Sequence, residues 1–177
     1  MNEDGGFMTE IVAAFLGAVV GFGGSWIIMR EQFKAAKEKD LEDKKLAKNK
    51  EINHFCILFN DGYKLLLSLK SLGHWNYEKS TYNEKLKIFC DIHKNKDIAN
   101  ALDYVILTMM EDLSIEIQDK LLPLLNKDDD MSEILKYLNG STFEKLTSLE
   151  TKLIDLYGEE IPSIRLIFNT SYKHMIL

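Results

Sequence analysis

The sequence predicts an all-α protein, in which a single N-terminal transmembrane helix continues into a charged helical stalk and then a compact helical bundle. Three observations predict this fold. Residues 11–29 contain no charge. The segment 30–51 is rich in lysine and glutamate and lacks proline and glycine. Farther along, apolar residues recur at helical spacing. We therefore divide the chain into a tail (1–10), a span (11–29), a stalk (30–51) and a helical domain (52–177).

The uncharged run ends at Glu10 on one side and Arg30 on the other. A helix of that length covers about 28 Å, which is close to the hydrocarbon thickness of a bilayer. The acidic start of the chain and the bulky residues 26–29 are unlike a cleaved signal peptide, so we expect an uncleaved anchor. Every lysine and arginine lies after the span, which predicts an outside N-terminus and a cytoplasmic domain.

Small residues recur every four positions along the span, at Ala13, Gly17, Gly21 and Ser25. Residues at this period form one stripe, where two helix backbones can approach closely in lipid. The pattern predicts that spans meet in a homo-oligomer. The alternative is that glycine and alanine are simply common in membrane helices.

The stalk carries eight basic residues and five acidic residues from position 30 to position 50. Its apolar residues are too sparse for a coiled-coil seam. We interpret it as a solvated helix whose lysines also meet anionic headgroups, in preference to a sequence-specific partner site.

The helical domain is predicted to contain five or six helices. The first helix has an apolar stripe, a bend at Asp61-Gly62 and an end near Gly73, and a polar segment 74–83 precedes a second helix over 85–93. The predicted first stripe is Ile52, Phe55, Cys56, Phe59, Tyr63, Leu66 and Leu69. A long third helix is predicted to begin at a cap, Asp97, and to end at Pro123 and the run 126–130. Its predicted stripe is Ile98, Leu102, Val105, Met109, Leu113 and Ile117.

The remaining elements are shorter. A helix over 133–138 is expected to stop at Asn139-Gly140, and Ser141 with Glu144 matches a capping box for the next helix. That helix is predicted to bury Leu146, Leu149, Leu153 and Leu156 and to end at Tyr157-Gly158. Pro162 is expected to open the last segment, in which 164–168 could instead form a short strand.

Charge and cysteine content exclude two classes of protein. The chain has net charge −6, and residues 51–177 carry 14 basic and 20 acidic residues. We therefore expect no binding of duplex nucleic acid, which needs a basic surface. Cys56 and Cys90 are too few for a disulfide framework, and in the cytoplasm they are expected to be reduced.

No motif predicts catalysis or a metal. Cys90 and His93 share a helix face and could bind one metal ion, for which His54 and Cys56 are the obvious further ligands. Because His54 and Cys56 point about 200° apart on a regular helix, they cannot both reach that ion, and we favour buried thiols over a metal site. The acidic turn 126–130 lacks the glycine of a calcium loop. No glycine-flanked nucleophile or phosphate-cradling loop follows the span. The sequence predicts neither an enzyme nor a cofactor.

One polar stretch combines aromatic and basic residues and is the predicted ligand site. Aromatic faces can stack on bases, while lysine, asparagine and histidine can hold phosphate or base edges. The candidate residues are His74, Trp75, Asn76, Tyr77, Lys79, Tyr82 and Lys85. The alternative is that Trp75 and Tyr77 fold back onto the core. Arg165 is a further candidate anion clamp, or else part of an ordinary ion pair.

The small-residue span together with the stretch 74–85 resembles the small membrane effectors of bacterial anti-phage defence. These include the type III CRISPR-associated membrane proteins whose cytoplasmic domain binds cyclic tetra-adenylate as a tetramer. The resemblance covers the overall architecture. It implies a bacterial inner (plasma) membrane protein, a cyclic oligonucleotide ligand at a subunit interface and ligand-dependent membrane disruption.

Three functional hypotheses follow. The first is a non-enzymatic, homo-oligomeric membrane effector that senses a nucleotide-like anion. The second is a membrane-tethered adaptor or exclusion factor that binds a protein partner. The third is a membrane-anchored hydrolase with an unrecognised site.

Overall fold

A computed structural model describes residues 4–71, 79–126 and 131–173, and these are all-α, with no strand among them. The described residues form eight α-helices. In chain order they are α1 (Asp4–Ser71), α2 (Lys79–Asp91), α3 (Lys96–Ala101), α4 (Tyr104–Glu116), α5 (Leu122–Asn126), α6 (Met131–Tyr137), α7 (Phe143–Tyr157) and α8 (Ser163–Lys173). The chain divides into two units, Met1–Leu46 and Ala47–Leu177.

The described residues of the first unit, 4–46, are the N-terminal part of α1. Among the described residues, α1 is the one helix that is long and apolar enough to cross a membrane. The side chains at 12–18 and 20–29 are all exposed, including Phe22 at 80%. The stalk is helical, as predicted, and its side chains are exposed from 30 to 48.

The second unit is built around the C-terminal part of α1. All seven residues of its predicted stripe are buried, so that prediction is confirmed. Phe59 lies at the centre, with its ring 6.0 Å from the rings of both Phe89 on α2 and Phe168 on α8. Buried residues of α4 and α7 complete the core, among them Leu113, Leu146 and Leu149.

The predicted long helix after Asp97 is wrong, because two helices occupy this region. Asn95, rather than Asp97, caps α3, and its side-chain oxygen accepts a hydrogen bond from the Asp97 amide at 2.9 Å. Leu102 is extended, and Asp103 caps α4 by accepting from the Val105 amide. Because α4 begins at Tyr104 and is not a continuation of α3, it buries a different face from the predicted one. Ile106 and Met110 are buried, while Val105 is exposed.

One further helix boundary differs from prediction, and another agrees with it. Pro123 does not end a helix: a π-helical segment, Ile117–Leu121, leads into α5, which contains Pro123. A wider turn relieves the contact that a proline ring makes with the carbonyl four residues earlier. A second π-helical segment, Leu138–Thr142, joins α6 to α7, and Gly140 has non-helical angles there, which agrees with the predicted stop.

The predicted capping box at Ser141 is wrong. The residue before α7 is Thr142, and it makes no side-chain cap. The Ser141 hydroxyl instead donates to the Glu116 carboxylate on α4. A capping serine accepts a hydrogen bond from a backbone N–H, whereas the Ser141 hydroxyl points to a buried carboxylate and donates to it, so a tertiary contact replaces the local one.

The remaining differences are local. Residues 164–168 are helical within α8, so the strand alternative is wrong. Residues 79–83 belong to α2 rather than to a polar connection, and Leu156 is exposed, unlike the other predicted leucines of α7. Gly73 and residues 127–130 lie outside the described residues.

Candidate ligand groove

Helices α1 and α2 form a groove on the surface of the domain. Ser68 lies opposite Tyr82, with 3.3 Å between their hydroxyl oxygens, and Gly62 lies opposite Phe89. The paired positions rise along one helix and fall along the other, so the helices run antiparallel. The groove encloses about 520 Å³, within the range of small-molecule sites. Its apolar lining consists of Leu58, Leu65, Ile88, Phe89 and Ile92.

Gly62 controls how closely the two helices approach. The sequence predicts a bend within the helix at Asp61-Gly62, and α1 is helical without interruption through both residues. A Cβ atom on residue 62 would overlap the ring of Phe89. A close side-chain approach from α2 therefore requires glycine at this position.

The rim of the groove carries charge. Lys64 from α1 and Lys85 from α2 line it together with Asp61 and Ser68. Two lysines thus face one aspartate in a domain that is acidic overall. An apolar floor with a few convergent polar groups is the usual form of a ligand site, and lysine is a common partner of phosphate and carboxylate.

The predicted ligand residues reach this groove only in part. Lys85 lines it, Tyr82 is half-buried beside Ser68, and Lys79 is the first residue of α2. His74, Trp75, Asn76 and Tyr77 lie outside the described residues. Arg165 is exposed on α8 and lies beside Gly158.

Sequence reasoning missed Lys64 and the whole α1 side of the groove. The available signal is the spacing of Leu58, Asp61, Leu65 and Ser68, which lie three or four residues apart. This row borders the buried stripe and mixes apolar and polar residues, so it reads as ordinary helix surface until α2 is placed against it.

Among the described residues, the cysteines and histidines do not form a reactive cluster. Burial raises the pKa of the Cys56 thiol to about 12, and burial with the nearby Asp91 charge does the same for Cys90. Burial and the neighbouring Lys94 lower the pKa of His93. Across 4–71, 79–126 and 131–173 no three His, Cys, Asp or Glu side chains are grouped to hold a metal ion.

Glu116 is the centre of a buried polar cluster. Its carboxylate accepts hydrogen bonds from Ser141 and Lys145, and the Tyr137 hydroxyl donates to its backbone carbonyl at 3.0 Å. Burial raises the pKa of Glu116, but the hydrogen bonds from Lys145 and Ser141 and the Lys145 charge lower it overall. A carboxylate stabilised in its charged form is a weak general base, so the cluster is structural.

A second, shallower cavity of about 660 Å³ lies along α7. The hydroxyls of its Thr147 and Thr151 donate to backbone carbonyls of their own helix, at 2.9 Å each. These hydroxyls are occupied by the helix, so this surface is a weaker candidate than the α1–α2 groove.

The small residues of the span lie on one helix. Ser25 donates its hydroxyl to the carbonyl of Gly21 at 2.8 Å, which satisfies it within α1. A Cβ atom on Gly17 or Gly21 would meet nothing within 4 Å. Packing within the chain therefore does not require glycine at either position.

Known proteins add no assignment to this geometry. No protein-family model matches the chain, and neither a curated protein nor a solved structure is similar to it.

Proposed function

We propose that this protein is an oligomeric, single-pass effector of a bacterial plasma membrane, whose cytoplasmic helical domain binds a nucleotide-like anionic ligand. Ligand binding changes the packing of the membrane spans, without catalysis, as part of anti-phage defence. A cyclic oligoadenylate is the first ligand to test. The observation that carries the proposal is that the groove is built on α1, the same helix that contains the apolar span.

The exposed span supports a membrane location. Side chains such as Phe15 and Trp26 are open to the surroundings along α1, and burying apolar surface of this extent is strongly favourable. The acidic tail and the basic residues after the span support an N-terminus outside and a domain inside.

The groove supports an anionic ligand with an apolar or aromatic body. Lys64 and Lys85 can hold phosphate, while Leu65, Ile88 and Phe89 can pack on a base. A ligand seated there touches α1 directly. It shifts the spans only by the difference between its affinities for the two arrangements.

Self-association in the membrane is supported by the small-residue stripe. The open space around Gly17 and Gly21 allows another backbone to approach both positions. A homo-oligomer, including a tetramer, would also place several grooves in one assembly, so that one symmetric ligand could bridge subunits.

The test is a titration of the full-length protein in detergent with cyclic tetra-adenylate, other cyclic oligoadenylates, cyclic dinucleotides and linear nucleotides. We expect a rise in melting temperature with one of these ligands. Replacing the two lysines in the variant Lys64→Gln, Lys85→Gln should weaken that ligand at least about tenfold.

Lys87→Gln is the matched control, because Lys87 is exposed on α2 and does not line the groove. It should bind like the unmodified protein. A panel without any thermal shift, or equal affinities for the double variant and the control, would reject the proposal.

The alternative function is a membrane-tethered adaptor or exclusion factor that holds a protein partner in the same groove. Ile88 favours this alternative, because it lines the groove and is 67% exposed. In that case Ile88→Asp should abolish the function of the protein in cells. No nucleotide should shift the melting temperature of the unmodified protein. Protection of the groove residues from chemical labelling by a bound nucleotide would contradict the adaptor hypothesis.

A further inference from the structure

The stalk part of α1 has one basic face. Between residues 30 and 45, at 100° per residue, five cationic residues fall within about 100° of the helix circumference. They are Arg30, Lys34, Lys37, Lys44 and Lys45. The acidic residues from 30 to 45 all fall outside this arc, and Lys39 lies on the opposite side.

All of these side chains are exposed on the described helix. Lys44 also pairs with Asp40, at 2.7 Å, at the border of the arc. An exposed pair of this kind leaves most of its charge open to other partners, because solvent screens it strongly. The face therefore stays positive along about 23 Å of helix.

The basic face begins directly next to the apolar run, which indicates lipid headgroups as its partner. Arg30 directly follows the apolar run, and Lys37 lies only about 10 Å farther along the helix, a distance that reaches the headgroup region. Leu41 projects from the middle of the same face and is exposed, so it adds an apolar contact. Basic residues next to a span are attracted to anionic lipid headgroups.

We propose that this basic face binds the headgroups of anionic phospholipids, so that the stalk leans onto the leaflet with Arg30, Lys34, Lys37, Lys44 and Lys45 towards the lipid. Neutral lipid leaves the stalk upright. This interaction is independent of the ligand groove, because the residues that carry it lie outside that groove.

The experiment compares two single-cysteine probes in the full-length protein, Leu41→Cys on the basic face and Leu46→Cys on the opposite side. Both positions are exposed, while Cys56 and Cys90 are buried and give little background labelling. Each probe carries a fluorophore, and the protein is placed in nanodiscs that contain headgroup-quencher lipid. One set contains phosphatidylglycerol and the other contains only phosphatidylcholine.

In phosphatidylglycerol we expect at least about twofold stronger quenching at position 41 than at position 46, and equal quenching in phosphatidylcholine. High salt should remove the difference. Lys37→Gln should reduce it, and the matched control Lys39→Gln should not. Each charge near an anionic surface is worth about a fivefold change in association.

Three results would overturn the proposal. Equal quenching at both positions in phosphatidylglycerol would leave the stalk upright in anionic lipid. Equal effects of Lys37→Gln and Lys39→Gln would mean that net charge, and not the face, acts. If the fluorophore at position 41 is already shielded from solvent in detergent that contains no lipid, the basic face binds an acidic protein surface and not lipid headgroups.

Discussion

Lys145 on α7 forms an ion pair with Glu116, the last residue of α4, across the interior of the domain. Glu116 is 6% exposed, while the Lys145 side chain keeps 43% of its surface open to water. The same carboxylate accepts the hydroxyl of Ser141. The cluster thus connects the end of α4 to the second π-helical segment and to the start of α7.

Removing the Lys145 ammonium should destabilise the domain. In Lys145→Met the aliphatic stem remains, but Glu116 loses its cationic partner and keeps only hydroxyl partners in a buried site. We expect a loss of about 1–3 kcal/mol, which is below the usual value for a broken buried pair because Lys145 is partly exposed. Urea unfolding measures it. Lys152→Met on the same helix is the control, and equal losses for both variants would contradict the assignment.

The cluster also predicts how stability depends on pH. The folded pKa of Glu116 is lowered, whereas the unfolded value is about 4.3. The folded state therefore holds fewer protons at this group, so its contribution is present above the unfolded pKa and is lost as the pH falls through the folded pKa. Urea unfolding at pH 6 and pH 3 should show a smaller acid loss in Glu116→Gln than in the unmodified protein. An equal loss would assign acid sensitivity to other carboxylates.

Gly62 should not tolerate a larger residue. Alanine normally favours a helix over glycine, but here its methyl group would overlap Phe89. We expect Gly62→Ala to lower the free energy of unfolding by about 1–3 kcal/mol, as for overpacked cores. Adding Phe89→Leu should recover part of this loss. A stabilised single variant would mean that the ring moves aside at little cost.

Both thiols should react slowly in the folded protein. Cys56 and Cys90 are buried, and burial raises the pKa of each thiol to about 12, so little thiolate forms near neutral pH. Labelling with a chromogenic disulfide reagent at pH 8 should be much faster in denaturant than in buffer. Fast labelling of Cys90 in buffer would show that α2 opens locally.

Gly21→Ile should dissociate the proposed oligomer in detergent, and the effect should be stronger when combined with Gly17→Ile. Gly23→Ile is the matched control, because it lies about 200° around the helix and has equally open space within the chain. Mass measurement by light scattering distinguishes them. An unchanged mass for both variants would mean that the small-residue stripe makes no contact.

Much of the fold could be predicted, and the candidate site largely could not. The stripe from Ile52 to Leu69 is confirmed because helical periodicity is a local property of the chain. Boundaries were wrong where a long-range partner competes with a local one, as when Ser141 donates to Glu116 instead of capping α7. Lys85 could be predicted because it lies in a stretch that combines aromatic and basic residues. Lys64, which lines the same groove from α1, could not.

The sequence by itself determined the uncharged run 11–29, the small-residue stripe within it, and the helical character of the stalk and domain. These depend on residues a few positions apart. Only the tertiary structure decided that Gly62 admits Phe89 and that Lys64 shares a groove with Lys85. Each of those pairs joins residues more than twenty positions apart on different helices, and packing of whole helices, which no local pattern encodes, brings them together.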